Sequence, residues 1–351
     1  MFQEKIEAWL SRKVPERSVN QCFDLPVVLA TDIGLQRHEN QDRVAAMKIT
    51  ARSSAGRPLI AIAVADGMGG MRDGARCAAI ALSSFFFALT LYRYKQLDDR
   101  TMAAVLHAND SVFAYSNGNG GATLSAFLID HDIQPLVANV GDSRVYAFGK
   151  NISRLTVDDS LAEAVGGHGR ELLQFMGMGT GIRPHIIKVP GDASRIAITT
   201  DGIHFVSHQS LTDILHNAPD LKAATDRLAA LARWSGGSDN ASSALVDVPE
   251  LRYALDAKDV EGIQLWDPFG SLQTLWLRQE GRNERDQAEH ITQERVSPPL
   301  DRDAPQPTKT DKQRNRSTAK KPKKPKDGAK EIQFEIEIEQ SGNPAQTNDD
   351  S

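Results

Sequence analysis

The sequence predicts an α+β fold built from layered β-sheets. Two long helical patterns, 75–94 and 102–115, lie between groups of strand-like runs, and strands do not alternate strictly with helices. The run Leu59–Ala65 is apolar throughout and has the length of a strand buried on both faces. It ends in Asp66, and glycines follow at positions 67, 69 and 70. We therefore expect a central strand that delivers an aspartate to a sharply turning loop.

The remaining elements follow from the spacing of apolar residues. Residues 1–24 begin with a short amphipathic pattern that predicts a helix or an arm. Short apolar runs between turn residues predict strands at 27–31, 44–49, 122–129, Leu136–Val140, Arg144–Phe148, 186–189, 195–200 and 241–248. Apolar residues at three- and four-residue spacing predict two further helices at 211–215 and Leu221–Trp234. Residues 253–277 are expected to add a helix and a hairpin.

Composition limits the function classes. The 351 residues are 40% hydrophobic and 25% charged, as in an ordinary globular protein. No apolar run follows a basic patch at the N-terminus, and the longest apolar stretch, 79–91, falls short of the roughly 18 residues of a membrane span. Cys22 and Cys77 provide neither a disulfide framework nor metal-ligand spacing. We expect two buried thiols, no membrane association and a cytoplasmic location.

Four aspartates stand where a predicted strand meets a loop, namely Asp42, Asp66, Asp201 and Asp239. Carboxylates gathered without matching lysines or arginines repel each other, and a bound divalent cation relieves that repulsion. Oxygen ligands favour Mg²⁺ or Mn²⁺, whereas the lack of cysteine and the scarcity of histidine there argue against zinc. Each aspartate taken alone is more typical of a helix cap or a turn, so the prediction depends on all four together.

Seven motifs in a fixed order carry a family resemblance. The motifs that contain these aspartates are GLQRHENQD, VADGMGG, ITTDG and SDNAS, and the other three are GATLSAFLI, ANVGDSRVY and LTVDDS. In this order they resemble the motifs of the metal-dependent protein phosphatases of type 2C, the PPM family, over about residues 25–248. The Met68 form of the second motif resembles the bacterial members.

The resemblance implies a four-layer αββα sandwich, in which a central antiparallel β-sandwich is flanked by helices. It also implies hydrolysis of phosphoserine and phosphothreonine in proteins by a water that two metal ions activate. The cofactors would be two Mn²⁺ or Mg²⁺ ions, with a third bound more weakly. The substrate would be a phosphorylated protein, and the enzyme would oppose a bacterial serine/threonine kinase.

The resemblance assigns metal ligands residue by residue. Asp66 would bridge two metals, and the carbonyl oxygen of Gly67 would add a ligand. Asp201 and Asp239 would complete the shell of the first metal. Asp142, in the motif GDSR, would help Asp201 to hold the third metal, although a turn residue that bonds nearby backbone is nearly as good an interpretation of it.

Two residues would carry the catalytic roles. Asp42 would hold metal-bound water, and it is therefore counted among the metal ligands as well. Arg37 would clasp the substrate phosphate, because its guanidinium fork matches two oxygens at once. The alternative for Arg37 is a surface ion pair.

The sequence departs from the family pattern at two positions. Gln41 stands where the family often has an acidic residue, and Asp159 where it usually has a histidine. The missing charge at Gln41 predicts weaker binding of one metal, and it supports the alternative of a pseudophosphatase that binds phosphoproteins or kinases without turnover. Retention of the four aspartates favours the enzyme. The segment 160–175, where the family has its flap, is short and carries glycines at 166, 167 and 169.

The chain is expected to have four parts: a catalytic domain (1–250), a C-terminal extension (251–280), a Pro-rich and basic disordered linker (281–330) and a tail with a strand-like segment (331–351). Ten Lys or Arg against two Asp give residues 309–330 a net charge of +8, so the rest of the chain carries −13. This stretch lacks interleaved aromatic residues, which disfavours nucleic-acid binding. We expect the tail to pair with a sheet edge or to contact a partner such as the kinase.

Overall fold

Two β-sheets packed face to face, with helices outside them, make up this computed structural model, which describes residues 2–50, 57–68, 73–131, 134–166, 171–256, 262–276 and 334–340. The arrangement confirms the α+β sandwich that the sequence predicts. Some predicted features lie outside the described residues: the glycines at 69, 70, 167 and 169 and the linker 281–330.

The first sheet has six strands, and all of its pairings are antiparallel. In spatial order the strands are β1 (Arg17–Gln21), β2 (Val27–Asp32), β11 (Ala241–Asp247), β10 (Arg195–Thr199), β7 (Arg144–Phe148) and β8 (Ile152–Arg154). The bounds of β7 are those that the sequence predicts, whereas β1 and β8 are not predicted.

The second sheet has eight strands. In spatial order they are β14 (Phe334–Gln340), β13 (Gly270–Trp276), β12 (Gly262–Asp267), β3 (Arg43–Thr50), β4 (Leu59–Ala65), β5 (Leu124–Ile129), β6 (Leu136–Val140) and β9 (His185–Lys188). Every residue of β4 is buried, as its continuous apolar run predicts. The hairpin of β12 and β13 extends this sheet beyond β3, and β14 is its outermost strand.

The core between the sheets follows the two-residue period of the strands. In β10, Ile196 and Ile198 belong to the cluster between the two sheets, whereas Ala197 belongs to the cluster under the outer helices. In β7, Val145 faces the first cluster and Tyr146 the second. Alternate residues of one strand therefore bind the two sheets together and attach the helices.

The helices form the outer layers. Helices α2 (Gly74–Leu91) and α3 (Leu97–Ser116) pack along the eight-stranded sheet, and α1 (Phe2–Leu10) packs against α2. Helices α5 (Asp201–His204), α6 (His208–Asn217) and α7 (Leu221–Trp234) cover the six-stranded sheet. Two short helices complete the described set: α4 (Leu161–Val165) and α8 (Val248–Asp256). By length and composition α2 alone among the described helices could cross a membrane, but 78% of it is buried inside the protein, as in a core helix.

The two thiols are buried and free. Cys22 is 4% exposed and lies in the cluster between the sheets, and Cys77 is fully buried in α2. Burial raises the pKa of both thiols, so neither has the thiolate character of a reactive cysteine. They behave as small hydrophobic residues, as the sequence predicts.

Candidate metal centre

Strand register brings the aspartates to one end of the sandwich. Arg43 in β3 pairs with Ala65 in β4, so the residues just outside this pair, Asp42 and Asp66, leave the sheet side by side. In the other sheet Thr199 in β10 is opposite Arg144 in β7. Positions 201 and 142 lie two residues beyond this pair, and both of their carboxylates act on Asp66.

Asp66 lies at the electrostatic centre of this end. Its pKa is raised well above the usual range, mainly because the carboxyl group is removed from water, and further because Asp42, Asp201, Asp142 and Asp239 surround it with negative charge. Four neighbouring carboxylates acting on a fifth is the pattern that a cation would neutralise. The structure therefore brings together all the aspartates that the sequence singles out.

Asp42 contributes a buried oxygen to the cluster. Its residue is 3% exposed, and its Oδ2 accepts a hydrogen bond from Oγ1 of Thr200 at 2.9 Å. Its Oδ1 is buried and has no hydrogen-bond partner among the described residues. Burial raises the pKa of Asp42 to about 6, although the hydroxyls of Ser242 and Thr200 lower it in part. An orphaned carboxylate oxygen beside four more carboxylates fits a hard divalent cation such as Mg²⁺ or Mn²⁺.

Arg37 and Asp239 form an ion pair at the rim of the cluster. Nη2 of Arg37 lies 2.7 Å from Oδ2 of Asp239, and Oδ1 of Asp239 accepts a hydrogen bond from the backbone N–H of Asn240 at 2.8 Å. The hydrogen bond to Asp239 raises the pKa of Arg37, and the charges of Asp201 and Asp66 add to this. Both partners are partly exposed, so the guanidinium can leave Asp239 for another anion.

The carboxylates lie near one another, but their present orientations do not enclose an ion-binding position. Within the described ranges, no three carboxylate, imidazole or thiol groups stand near enough to one another to enclose a metal as they are. The hydrogen bonds held by Asp42 and Asp239 explain this, because each carboxylate is turned to a protein donor. Ion binding would require Asp239 to exchange its arginine partner for the cation.

Gly67 allows the loop after β4 to approach the start of α2 closely. A Cβ built on it would lie 2.3 Å from the carbonyl oxygen of Gly74 at the start of α2, so no larger residue fits. Its backbone N–H donates to the carbonyl oxygen of Gln41 at 3.2 Å. The position that the sequence proposes as a carbonyl ligand is thus held between the loop of Asp42 and the first turn of α2.

Gln41 lies beside the cluster and also contacts this close approach. Its Nε2 donates to Oε2 of Glu39 at 3.3 Å, and its Cδ would lie 3.1 Å from a Cβ on Gly74. The side chain is half-buried. A carboxylate at position 41 could not donate this hydrogen bond and would place a second negative charge beside Glu39.

Asn240 organises the loop of Arg37 and is not among the predicted site residues. Its Oδ1 accepts a hydrogen bond from the N–H of Gln41 at 2.8 Å, and its Nδ2 donates to the carbonyl oxygens of Ile33 and Glu39 at 2.9 and 3.0 Å. One buried amide therefore closes the loop between β2 and β3 onto the start of β11. The motif SDNAS contained the signal, since the Asn directly follows a proposed ligand.

Thr200 also organises the cluster and is not among the predicted site residues. Its Oγ1 donates to Asp42 and accepts a hydrogen bond from the N–H of Ser242 at 2.9 Å. Because Thr200 precedes Asp201, the hydroxyl joins two of the aspartate loops directly. The threonine in TTDG was the available signal.

Asp142 stands on a turn tied to Asp66. Oγ of the next residue, Ser143, lies 2.7 Å from Oγ1 of Thr123, and this same Oγ1 accepts a hydrogen bond from the N–H of Asp66 at 3.0 Å. The residue before it, Gly141, has φ +99°, a conformation that favours glycine. The turn is thus specified on both sides of Asp142.

Comparison with known proteins gives the same assignment as the motifs. Residues 36–247 match the sequence model of the family described as Protein phosphatase 2C. The serine/threonine phosphatase stp of Listeria monocytogenes is 28% identical over 241 residues, which cover 62% of this chain and 93% of that protein. Protein phosphatase PhpP of Streptococcus pneumoniae is 27% identical over 257 residues, which cover 64% and 98%.

Solved structures share the fold. The PPM Ser-Thr phosphatase MsPP from Mycobacterium smegmatis, solved in complex with cacodylate, superposes with a TM-score of 0.54 at 28% identity and covers 66% of this chain and 99% of its own. The catalytic domain of PstP, solved in complex with two manganese ions, has a TM-score of 0.51 at 24% identity, with 66% and 98% covered. More than half of the chain matches the family model, and the chain belongs to the protein phosphatase 2C family.

Proposed function

We propose that the aspartate cluster is the catalytic centre of a metal-dependent serine/threonine protein phosphatase, and that phosphorylated proteins are its substrates. The observation that carries the proposal is Asp66, whose carboxyl group lies within the electrostatic reach of four others. Five carboxylates at one end of a sandwich repel one another, and turns or helix caps do not supply the opposite charge that would offset this cost. Membership of the phosphatase family and the names of the relatives support the reaction class.

The metal ligands are proposed to be Asp66, Asp201 and Asp239, with the carbonyl of Gly67 and a weaker contribution from Asp142. When bound, two Mn²⁺ or Mg²⁺ ions supply a water of lowered pKa and neutralise charge on the transferred phosphoryl group. The oxygen-only donor set suits these hard cations. A third, weaker ion would share Asp142 with Asp201.

Arg37 is proposed to exchange partners during the reaction. In the structure it holds Asp239, and in the working enzyme its fork would bind two oxygens of the substrate phosphate. Asp42 is proposed to orient the attacking water, because one of its oxygens is fixed by Thr200 and the other has no protein donor among the described residues. The protein supplies position and charge, and no side-chain nucleophile is needed.

The test is hydrolysis of p-nitrophenyl phosphate and of a phosphothreonine peptide, with and without Mn²⁺. Asp66→Asn should remove nearly all turnover, since it deletes the charge at the centre of the cluster. Asp226→Asn is the matched control, because it makes the same chemical change at an exposed helical pair with Lys222. Mn²⁺-independent hydrolysis, or full activity in Asp66→Asn, would overturn the mechanism. Phosphopeptide binding without turnover by the wild type would instead establish the pseudophosphatase.

The C-terminal tail is proposed to bring a serine/threonine kinase or its substrate to the enzyme, which we place in the cytoplasm. The charge contrast between residues 309–330 and the rest of the chain supports a role in contact rather than in catalysis. Deleting 282–351 should leave hydrolysis of the small ester intact and weaken co-purification with the kinase. Loss of small-ester activity in the deletion would show that these residues belong to the catalytic unit.

A further inference from the structure

Asp159 is a buried carboxylate that the proposed chemistry does not use. It lies between β8 and α4 and is 8% exposed. Its Oδ2 accepts a hydrogen bond from the N–H of Gly141 at 3.0 Å, and its Oδ1 accepts from Nε2 of His185 and from Nε2 of Gln174, each at 2.9 Å. One side chain thus joins three separate segments of the chain.

Asp159 binds both the N–H and the carbonyl oxygen of Gly141. Besides the bond to Oδ2, the carbonyl oxygen of Gly141 accepts from the backbone N–H of Asp159 at 3.0 Å. A Cβ on Gly141 would lie 2.7 Å from Cγ2 of Thr123, so no larger residue fits at this position of the turn. Asp142 is the next residue, and its position is therefore set by how Asp159 holds the peptide before it.

The hydrogen bonds continue from this turn into the aspartate cluster. Ser143 contacts Thr123 through their hydroxyls at 2.7 Å, and Thr123 binds the main chain of Asp66 twice, through Oγ1 at 3.0 Å and through its own N–H at 2.8 Å. A shift of the turn would be transmitted to the residue at the electrostatic centre.

On its other side Asp159 holds the segment 171–176. The N–H of Leu173 donates to the carbonyl oxygen of Asp159 at 2.7 Å, and Oε1 of Gln174 accepts from the N–H of Arg183 at 2.6 Å. Met176 exchanges two backbone hydrogen bonds with Ala122, next to Thr123. The segment is thus attached at one end to Asp159 and at the other to the residues that precede β5.

We propose that Asp159 is a positioning residue that fixes the turn of Asp142 against the segment 171–176 and so sets the affinity of the weakest cation site. The inference rests on the proposed function, since it takes Asp142 as a ligand. An ionised carboxylate is needed because it only accepts hydrogen bonds, on both oxygens. In Asp159→Asn the NH₂ group must face either Gly141 or Gln174, and it then meets the N–H of Gly141 or Nε2 of Gln174, which is also a donor.

The experiment compares Asp159→Asn with Asp158→Asn. Asp158 is also 8% exposed, but it pairs with Arg144 through both oxygens and has no bond to Gly141. Mn²⁺ binding to the metal-stripped proteins is measured by calorimetry, and hydrolysis of p-nitrophenyl phosphate is followed against Mn²⁺ concentration. We expect Asp159→Asn to weaken the weakest Mn²⁺ binding step about tenfold, at the lower end of the effect of residues that orient ligands. Asp158→Asn should lower Tm without moving the isotherm.

An unchanged isotherm in Asp159→Asn, or equal shifts in the two variants, would reduce Asp159 to a contributor to stability and overturn the proposal. If Asp159→Asn does not fold, Gln174→Ala and His185→Ala remove donors from the exposed side and should each shift the isotherm in the same direction. No shift in either would equally overturn it. The calorimetric result does not depend on turnover, so a wild type that binds Mn²⁺ without hydrolysis would refute the phosphatase and still decide the role of Asp159.

Discussion

Replacing Gly202 with alanine tests how closely the aspartate loops must approach one another. Gly202 follows Asp201 at the start of α5, and a Cβ built on it lies 2.0 Å from the carbonyl oxygen of Asn240 and 2.9 Å from its carbonyl carbon. Ordinary contacts begin near 3.4 Å, so the main chain that carries Asp239 and Asn240 has to move by about 1.4 Å.

The displacement has two expected consequences. Overpacking against main chain costs about 1–3 kcal/mol of unfolding free energy, and each kcal/mol lowers Tm by roughly 2–4 °C in a domain of this size. Misplacement of a catalytic group by about 1 Å can cost on the order of 100-fold in rate. Because Asp239 moves with Asn240, we expect the loss in kcat to exceed what the loss in stability would explain.

The assay measures kcat for p-nitrophenyl phosphate at saturating Mn²⁺, together with Tm, for Gly202→Ala and Gly191→Ala. Gly191 is exposed, its φ lies outside the left-handed region, and a Cβ there meets nothing within 4 Å. It therefore reports the effect of a glycine-to-alanine change without crowding. Wild-type kcat in Gly202→Ala, or equal small losses in both variants, would refute the reasoning from close approach.

Three further outcomes are expected. Arg37→Lys should raise KM for a phosphopeptide more than it lowers kcat, because it keeps the charge and loses the fork; an unchanged KM would remove Arg37 from the substrate. Gln41→Glu should lower the Mn²⁺ concentration at half-maximal rate by adding a carboxylate beside the cluster, and an unchanged dependence would place residue 41 outside the metal's reach. The folded, metal-free protein holds Asp42 and Asp66 with raised pKa values, so it binds more protons than the unfolded chain above the usual Asp range. Its Tm after EDTA treatment should therefore rise as the pH is lowered from about 7.5 to about 5.5, and added Mn²⁺ should raise Tm more at the higher pH; the opposite pH trend would contradict the burial of these carboxylates and the repulsion between them.

The elements that the sequence predicts best are those with an uninterrupted pattern of burial. The bounds of β4, β6, β7 and α7 coincide with the predicted ones, and α7 begins where Oδ1 of Asp220 accepts from the N–H of Ala223 at 2.7 Å. The sequence does not predict strand β1, because its side chains alternate between exposed and half-buried and the strand has no apolar face. Its strand conformation comes from pairing with β2, which a local pattern cannot reveal.

The candidate site shows the same division between what is local and what is not. That the aspartates meet could be predicted, because each one closes a strand and strand ends gather at the ends of a sandwich. That Arg37 holds Asp239 across about two hundred positions could not, since either a phosphate or a carboxylate suits a guanidinium. Asn240 and Thr200 were overlooked for a different reason: a hydroxyl or amide beside a ligand looks like any polar loop residue until its partners are known.

The hairpin of β12 and β13 has a consequence for how the chain can be divided. It covers the edge of β3, whose residues from Val44 to Ile49 are buried. A fragment that stops after β11, close to the end of the match to the family, would leave this apolar strand with a free row of N–H and C=O groups. Such an edge recruits strands from other molecules. We therefore expect the hairpin to prevent self-association through β3, although its residues take no part in the proposed chemistry.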